Sequence, residues 1–163
     1  MSTQRDLIEP PEIAGLRAGQ SVKDLITFLG KAYPSHLVSD AEPSFDYGKT
    51  IFSDATFLEY PQRGLSIRIA EGRVSYILAF SGVPSGYDTD SQGRFEGTLP
   101  LGITFSDTFT ALMGRFGPPD SGGELSGAPV PSKWMKYHRL GLSLDFVSAT
   151  GQMISVGVSL PQL

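Results

Sequence analysis

Hydrophobic and polar residues alternate along short stretches in both halves of the chain. Between residues 65 and 70, for example, Leu65, Ile67 and Ile69 alternate with polar side chains. Alternation with a period of two is typical of a β-strand that buries one face. The pattern predicts strands at residues 56–60, 65–70, 74–80, 133–138, 141–148 and 153–160, and it allows a short strand near residues 50–52.

Two other stretches, residues 21–29 and 105–116, have apolar residues at the spacing of an amphipathic helix. Ser21 is the expected N-cap of the first helix, and Thr104 or Ser106 is the expected N-cap of the second. A glycine follows the first stretch and Gly-Pro-Pro follows the second. Because glycine favours the helix C-cap and proline cannot continue a helix, both helices are predicted to end there.

One segment of the chain is repeated. Residues 60–69 match residues 137–146, and four pairs of identical residues are separated by the same interval. These pairs are Tyr60 and Tyr137, Gly64 and Gly141, Leu65 and Leu142, and Ser66 and Ser143. An internal copy indicates that one structural unit was used twice. We therefore predict an α+β fold of two tandem repeats, each a helix plus a three- to four-stranded antiparallel sheet.

The predicted domain organisation follows from this repeat. Residues 1–15 form an N-terminal arm, residues 16–80 the first repeat, residues 81–100 a connecting loop and residues 101–163 the second repeat. A three-stranded sheet with one covering helix is marginally stable alone. We therefore expect the two sheets to join edge to edge into one curved surface.

Composition and charge exclude several classes of function. The chain has 163 residues, 40% of them hydrophobic and 18% charged, which is typical of a globular protein. Its net charge of −4 and the lack of a basic stripe argue against nucleic-acid binding, which requires clustered Lys and Arg. No window approaches the length of a membrane span, and the N-terminus has no apolar signal stretch. The expected location is therefore the cytoplasm, without membrane association.

The chain contains no cysteine. This absence excludes disulfides, thiolate metal sites and cysteine nucleophiles. Residues 88–99 resemble a calcium-binding loop, because Asp88, Asp90, Gln92 and Gly93 occupy suitable positions, but Leu99 stands where the bidentate carboxylate is needed. The segment is therefore interpreted as a polar hairpin, and no metal or cofactor is predicted.

The sequence offers no catalytic constellation. The two histidines, His36 and His138, lack the paired spacing of a metal site, and no Gly-x-Ser-x-Gly motif is present. Only convergence of His138 with Asp145 in a deep pocket would favour catalysis. The chain is therefore predicted not to be an enzyme.

The second half of the chain resembles known folds through Gly102-Ile-Thr104, Phe116-Gly-Pro-Pro-Asp120, Trp134, Tyr137 and the paired strands up to residue 160. The pattern is similar to the β-lactamase inhibitor protein and to small BamE-type outer-membrane lipoproteins. The lipoprotein cysteine and the inhibitor's disulfides are missing. The resemblance implies a scaffold that binds other proteins, and by extension a cytosolic immunity protein that neutralises a bacterial toxin. The alternative is an envelope-assembly or small-ligand-binding module of the BamE type.

Candidate partner-binding residues are acidic or aromatic side chains in loops, since such loops on a rigid scaffold often carry binding. The acidic side chains complement a basic partner surface, and the aromatic ones anchor it. One of them lies in the glycine-rich segment 120–132, which is predicted to be a loop. The candidates are Tyr47, Tyr87, Asp88, Asp90, Phe95, Glu96 and Glu124. The expected partner is another protein, and the chain itself is expected to be a monomer or a weak dimer.

Overall fold

The computed structural model describes residues 10–21, 48–51, 56–60, 63–71, 73–83, 93–126 and 130–162. The helix predicted at residues 21–29 lies outside the described residues except for Ser21, which forms an isolated bridge with Arg73. This bridge joins Ser21 to the beginning of the strand that starts at Arg73.

The first described element is a short hairpin formed by β1 (Glu12–Ile13) and β2 (Leu16–Arg17). Its turn has two residues with left-handed backbone, Ala14 at φ 57° and Gly15 at φ 77°, as in the tight turns that match the twist of paired strands. Ile13 and Leu16 are 0% exposed and belong to the hydrophobic core. The hairpin therefore crosses the predicted boundary between arm 1–15 and repeat 16–80, and residues 12–15 are not a free arm.

Eight further strands form one antiparallel sheet, so the predicted α+β class with antiparallel strands is confirmed. The strands are β3 (Gly48–Ile51), β4 (Thr56–Tyr60), β5 (Leu65–Ala70), β6 (Arg73–Phe80), β7 (Ser121–Leu125), β8 (Ser132–Tyr137), β9 (Leu142–Val147) and β10 (Met153–Ser159). Their order is β3-β4-β5-β6-β10-β9-β8-β7. Each half of the chain thus contributes a four-stranded meander, and the last strands of the two meanders, β6 and β10, pair with each other.

The helix α1 (Phe109–Phe116) begins later than predicted. Thr108 is its N-cap, and the Thr108 hydroxyl accepts a hydrogen bond from the Ala111 N–H at 3.2 Å. The Asp107 carboxylate accepts from the Thr104 N–H at 2.9 Å, which holds the preceding residues in a turn. Gly117, at φ 78°, ends the helix as predicted.

The helix covers one face of the sheet. The ring of Phe109 meets that of Phe146 edge-on at 5.4 Å, and the rings of Phe116 and Tyr137 lie 5.7 Å apart. Opposite partners in an antiparallel pair share a face, so the register extends this buried face across both meanders. Its central residues are Leu65, Ile67, Ile77, Ala79, Leu142, Leu144, Val156 and Val158. The core therefore lies between this face, α1 and the N-terminal hairpin.

The segment predicted to be a loop at residues 120–132 contains a strand. β7 pairs with β8, from Ser121 opposite Lys136 to Leu125 opposite Ser132. Glycines at two of its five positions leave no hydrophobic alternation to detect. The strand forms because its backbone completes hydrogen bonds to β8, at the end of the sheet.

Candidate binding surface

The face of the sheet opposite the core carries aromatic, charged and small residues. Following the strand register from Ser66 through Leu78, Gly157 and Ser143 to Lys136 gives one row across five strands. The neighbouring rows are assigned in the same way. This surface, which we call the second face, comprises Ser66, Arg68, Tyr76, Leu78, Phe80, Trp134, Lys136, Ser143, Asp145, Ser155 and Gly157.

Small residues form the centre of the second face. Tyr76 on β6 lies across Gly157 on β10, and its hydroxyl is 2.6 Å from the Ser143 hydroxyl on β9. A Cβ atom at Gly157 would overlap the Tyr76 oxygen, so this crossing requires glycine. Burial raises the pKa of Tyr76, with a smaller increase from the charge of Asp145, against the hydrogen bond to Ser143. Tyr76 is therefore a neutral phenol fixed in position at neutral pH.

Asp145 is the acidic residue of the second face. It lies opposite Trp134 on one side and Ser155 on the other, and it accepts a hydrogen bond from the Ser155 hydroxyl at 3.3 Å. Burial raises the pKa of Asp145, and the Ser155 hydrogen bond and the charge of Lys136 oppose this. Among the described residues, no basic nitrogen lies within 4.0 Å of its carboxylate. The second face thus holds a partly desolvated carboxylate that has no ion-pair partner within the described part of the chain.

Trp134 and Lys136 border the second face on β8. The Lys136 ammonium lies 5.5 Å from the centre of the Trp134 ring, and the ring packs over the backbone of Gly123 on β7. On the other side of the central small residues, Leu78 and Phe80 of β6 are half-buried. Tryptophan, tyrosine and phenylalanine are enriched in protein–protein interfaces, and Trp and Tyr dominate their binding energy. The second face therefore has the composition of an interface.

The raised pKa of Asp145 gives a prediction for stability. The folded protein keeps the Asp145 proton to higher pH than the unfolded chain does. The contribution of this group to the free energy of unfolding is therefore complete below the ordinary aspartate pKa, and it is lost as pH rises through the folded-state pKa. Since asparagine cannot ionise, Asp145→Asn should gain stability relative to the parent as pH rises from about 3 to 7. Urea unfolding of both proteins across that range measures the difference.

A control for this prediction is Thr150→Ala, which removes an exposed hydroxyl from the turn between β9 and β10. Its stability difference from the parent should change little over the same pH range, because the substitution removes no titratable group. A difference between Asp145→Asn and the parent that is constant with pH would contradict the assignment of a raised pKa to Asp145.

Of the sequence-predicted binding residues, those that the structure describes do not lie on the second face. Tyr47, Tyr87, Asp88 and Asp90 lie outside the described residues. Phe95 is 6% exposed and packs in the core, while its N–H donates to the Phe80 carbonyl at 2.9 Å. Phe95 is therefore not an exposed anchor, because the segment after residue 93 packs against the sheet instead of forming a free connecting loop.

Two predicted acidic residues are described and exposed. Glu96 follows the buried Phe95, and Glu124 lies on β7 opposite Lys133, whose ammonium contacts the Phe109 ring on the core side at 4.1 Å. Glu124 therefore lies at the β7 edge of the sheet, on the face that α1 covers. The sequence carries one signal for the second face: Arg68 and Asp145 are separated by the same interval as the repeated residues and differ in charge.

A serine and a histidine approach each other at the end of β7. The Ser121 hydroxyl is 3.3 Å from His138 Nε2, and the Asp120 carboxylate accepts from the His138 backbone N–H at 2.7 Å. In a catalytic triad the carboxylate orients the imidazole ring itself. Here it binds the backbone, and His138 is exposed. No hydrogen bond or ion pair joins His138 to Asp145 among the described residues, where no group of three potential metal ligands occurs either.

A cleft of about 650 Å³ lies between the N-terminal hairpin and residues 98–101. Ala14 and Leu101 both line it, and both have left-handed backbone, at φ 57° and φ 58°. Leu101 is also 45% exposed. Non-glycine residues in this conformation carry strain, and such strain clusters at functional sites. The cleft is therefore a second candidate site, although its lining has no aromatic side chain and the second face has three.

No family model, curated protein or solved structure matches this chain. The resemblance to the β-lactamase inhibitor protein and to BamE-type lipoproteins stays a prediction from the sequence pattern. Within the ranges that the structure describes, no helix has the length and apolar character needed to span a membrane.

Proposed function

We propose that this chain is a non-catalytic protein that binds a partner protein through its second face. The observation that carries the proposal is the arrangement of Trp134, Tyr76 and Asp145 around a floor of small residues. Large aromatic side chains on a rigid sheet provide contact area at a low cost in conformational entropy. Tyr76 covers Gly157 and reaches Ser143, so a partner would contact the upper side of Tyr76 together with Trp134 and Lys136.

The proposal includes a partner with a cationic side chain opposite Asp145. Covering the second face removes more water from this carboxylate, which costs free energy unless a cation pairs with it. Among the described residues, the nearest charge compensation comes from Lys136, at more than ion-pair distance. A lysine or arginine of the partner would complete the pair and give the interface specificity.

We also propose that the scaffold arose by tandem duplication. Tyr60 pairs with Leu65, and Tyr137 pairs with Leu142, at equivalent places in the two meanders. Gly64 and Gly141 have φ values of 63° and 61°, and each accepts a hydrogen bond of 2.8 Å on its carbonyl from the last strand of its own meander. These correspondences support the proposal that the sequence repeat is also a repeat of one structural unit.

The specific form of the function is inhibition of a toxin by steric occlusion, as expected of a cytosolic immunity protein. This form rests on the sequence resemblance and on the net charge of −4, which favours a basic partner. The second face supplies the surface that such an inhibitor needs.

The test is a calorimetric titration of the purified protein with the product of the adjacent gene. We expect Trp134→Ala to weaken the complex by about 30-fold or more, because a central aromatic anchor contributes about 2 kcal/mol or more. The control is Lys133→Ala, which changes the same strand on the opposite face and should leave the affinity unchanged. A complex that tolerates Trp134→Ala would place the interface elsewhere and contradict the proposal.

A small-ligand-binding function is the second candidate, and the strained cleft favours it. Ala14 and Leu101 hold left-handed backbone at a concave surface of sufficient volume for a small molecule. If the titration finds no protein complex, while small molecules raise the unfolding temperature of the parent and not of Leu101→Asn, the cleft is the functional site.

A further inference from the structure

We propose that two copies of this chain associate through the outer edges of their β7 strands, in an antiparallel pair centred on Gly123. This dimer is independent of the protein-binding function proposed above. It would join two eight-stranded sheets into one continuous sheet.

The outer edge of β7 has the features of a strand that is able to pair. β7 is the last strand in the sheet order, and four of its five residues are exposed. Natural sheets protect their edges with lysine, proline, bulges or inward charges. β7 has the sequence Ser-Gly-Gly-Glu-Leu, which contains neither lysine nor proline; its single charge, Glu124, lies opposite Lys133 of β8, and Leu125 at its end is 38% exposed. Both glycines are exposed.

The sequence of β7 is self-complementary in one register. Pairing centred on Gly123 places Gly123 opposite its own copy, Gly122 opposite Glu124 and Ser121 opposite Leu125. No like charges then face each other, and each Glu124 lies opposite Lys133 of its own chain. A register centred on Glu124 would place two carboxylates directly opposite, which is destabilising. Repulsion between the Glu124 carboxylates therefore disfavours that register, and the register centred on Gly123 is the one that pairs all five residues of β7.

Trp134 reinforces the same register. Its ring packs over Gly123, where an added Cβ would lie 3.2 Å from the indole. The dyad of an antiparallel strand pair is perpendicular to the sheet, so both second faces point the same way. Directly opposite residues are about 5 Å apart, and the two indoles therefore lie side by side above the dyad. Such aromatic pairs are favourable. The five-residue strands predict a weak dimer, in which the second face continues across the junction.

The experiment uses two double variants that differ only at position 121. Ser121→Glu with Leu125→Lys places Glu opposite Lys twice across the dyad, whereas Ser121→Lys with Leu125→Lys places Lys opposite Lys twice. We expect the first variant to dimerise at least about tenfold more tightly than the second, since each cross-strand charge pair changes sign. Sedimentation velocity over a wide range of protein concentration measures both equilibria.

Two further readouts separate this interface from other causes. The first variant keeps the net charge of −4 and the second makes it less negative, so overall repulsion alone predicts the opposite order of affinities. Trp134 is the single tryptophan of the chain, and its emission should change over the same concentration range as the mass. Added salt should bring the two variants closer together.

Three results would overturn the proposal. In the first, the parent and the variant with Ser121→Glu and Leu125→Lys both sediment as a monomer of 17.5 kDa at every concentration. The β7 edge would then pair with a strand of another protein or stay unpaired. The two variants could dimerise equally. A dimer could also form without any change in Trp134 emission, which would place its interface away from Gly123.

Discussion

Replacing Gly64 or Gly141 with alanine should destabilise the protein by about 2–4 kcal/mol in each case. Both glycines have left-handed backbone, with φ of 63° and 61°, which a side chain disfavours. Both also face another backbone segment at close range. A Cβ at Gly64 would overlap the Gly93 carbonyl oxygen and lie 2.6 Å from the Phe95 nitrogen. A Cβ at Gly141 would overlap the Ser159 carbonyl oxygen.

Gly151→Ala is the matched control, measured like the others by urea unfolding. Gly151 also has left-handed backbone, at φ 72°, but a Cβ there meets no atom within 4 Å. Its loss should be limited to the conformational term of about 1–2 kcal/mol. The excess loss at Gly64 and Gly141 over Gly151 then measures the backbone overlap. Equal losses at all three positions would show that the close approach has no energetic consequence.

The two glycine variants also bear on the proposed duplication. If Gly64 and Gly141 descend from one residue in one unit, their losses should be similar and should arise from the same two causes. The sequence pointed to this pair because identical residues recur at a fixed interval. A severe loss at one glycine and a minor loss at the other would mean that the two meanders use these positions differently.

The strands that the sequence predicted well are those whose composition alternates. β5 has the bounds 65–70 that the alternation indicated, and β9 and β10 differ from prediction only at their ends. In β9 burial alternates with composition, whereas β10 is buried on both faces up to Val158 and alternates because small residues lie on the face that Tyr76 covers. The start of α1 was missed because Thr108 competes successfully with Thr104 and Ser106 for the cap.

Elements without that alternation could not be predicted. β7 has two glycines and no buried side chain, so its pairing depends on β8 and not on its own composition. Phe95 lies in a polar segment, and its burial depends on the backbone contact with Phe80, which is distant along the chain. In both cases the determining interaction is tertiary, and local sequence carries no trace of it.

The candidate binding surface was accessible to sequence reasoning only in part. The alternation separates Ser66 and Arg68 from the core residues of β5, so one polar face was expected. Trp134 and Phe80, however, carry no sequence signal for this face, because large aromatic residues are usually buried. Only the register, which sets Trp134 opposite Asp145 and Gly123, shows that the tryptophan belongs to the second face.

The N-terminal hairpin gives the second large prediction. Ile13→Ala and Leu16→Ala should each cost about 2–4 kcal/mol, because each removes a fully buried aliphatic side chain and leaves a cavity. The predicted N-terminal arm of residues 1–15, if it made no contact with the core, would tolerate Ile13→Ala. Urea unfolding of the full-length variants distinguishes the two cases, and together the substitutions should remove about 4–8 kcal/mol, a large part of the roughly 5–15 kcal/mol typical of a domain.

Glu12→Ala is the control within the same hairpin. Glu12 is exposed and pairs with Arg17 across the strands at 3.2 Å, an ion pair that is worth less than about 1 kcal/mol at a surface. The hairpin is also tied to β6 by two backbone hydrogen bonds between Gly19, Gln20 and Val74. If Ile13→Ala and Leu16→Ala cost no more than Glu12→Ala, the hairpin does not stabilise the core, and the sheet must be stable without the segment that covers its first meander.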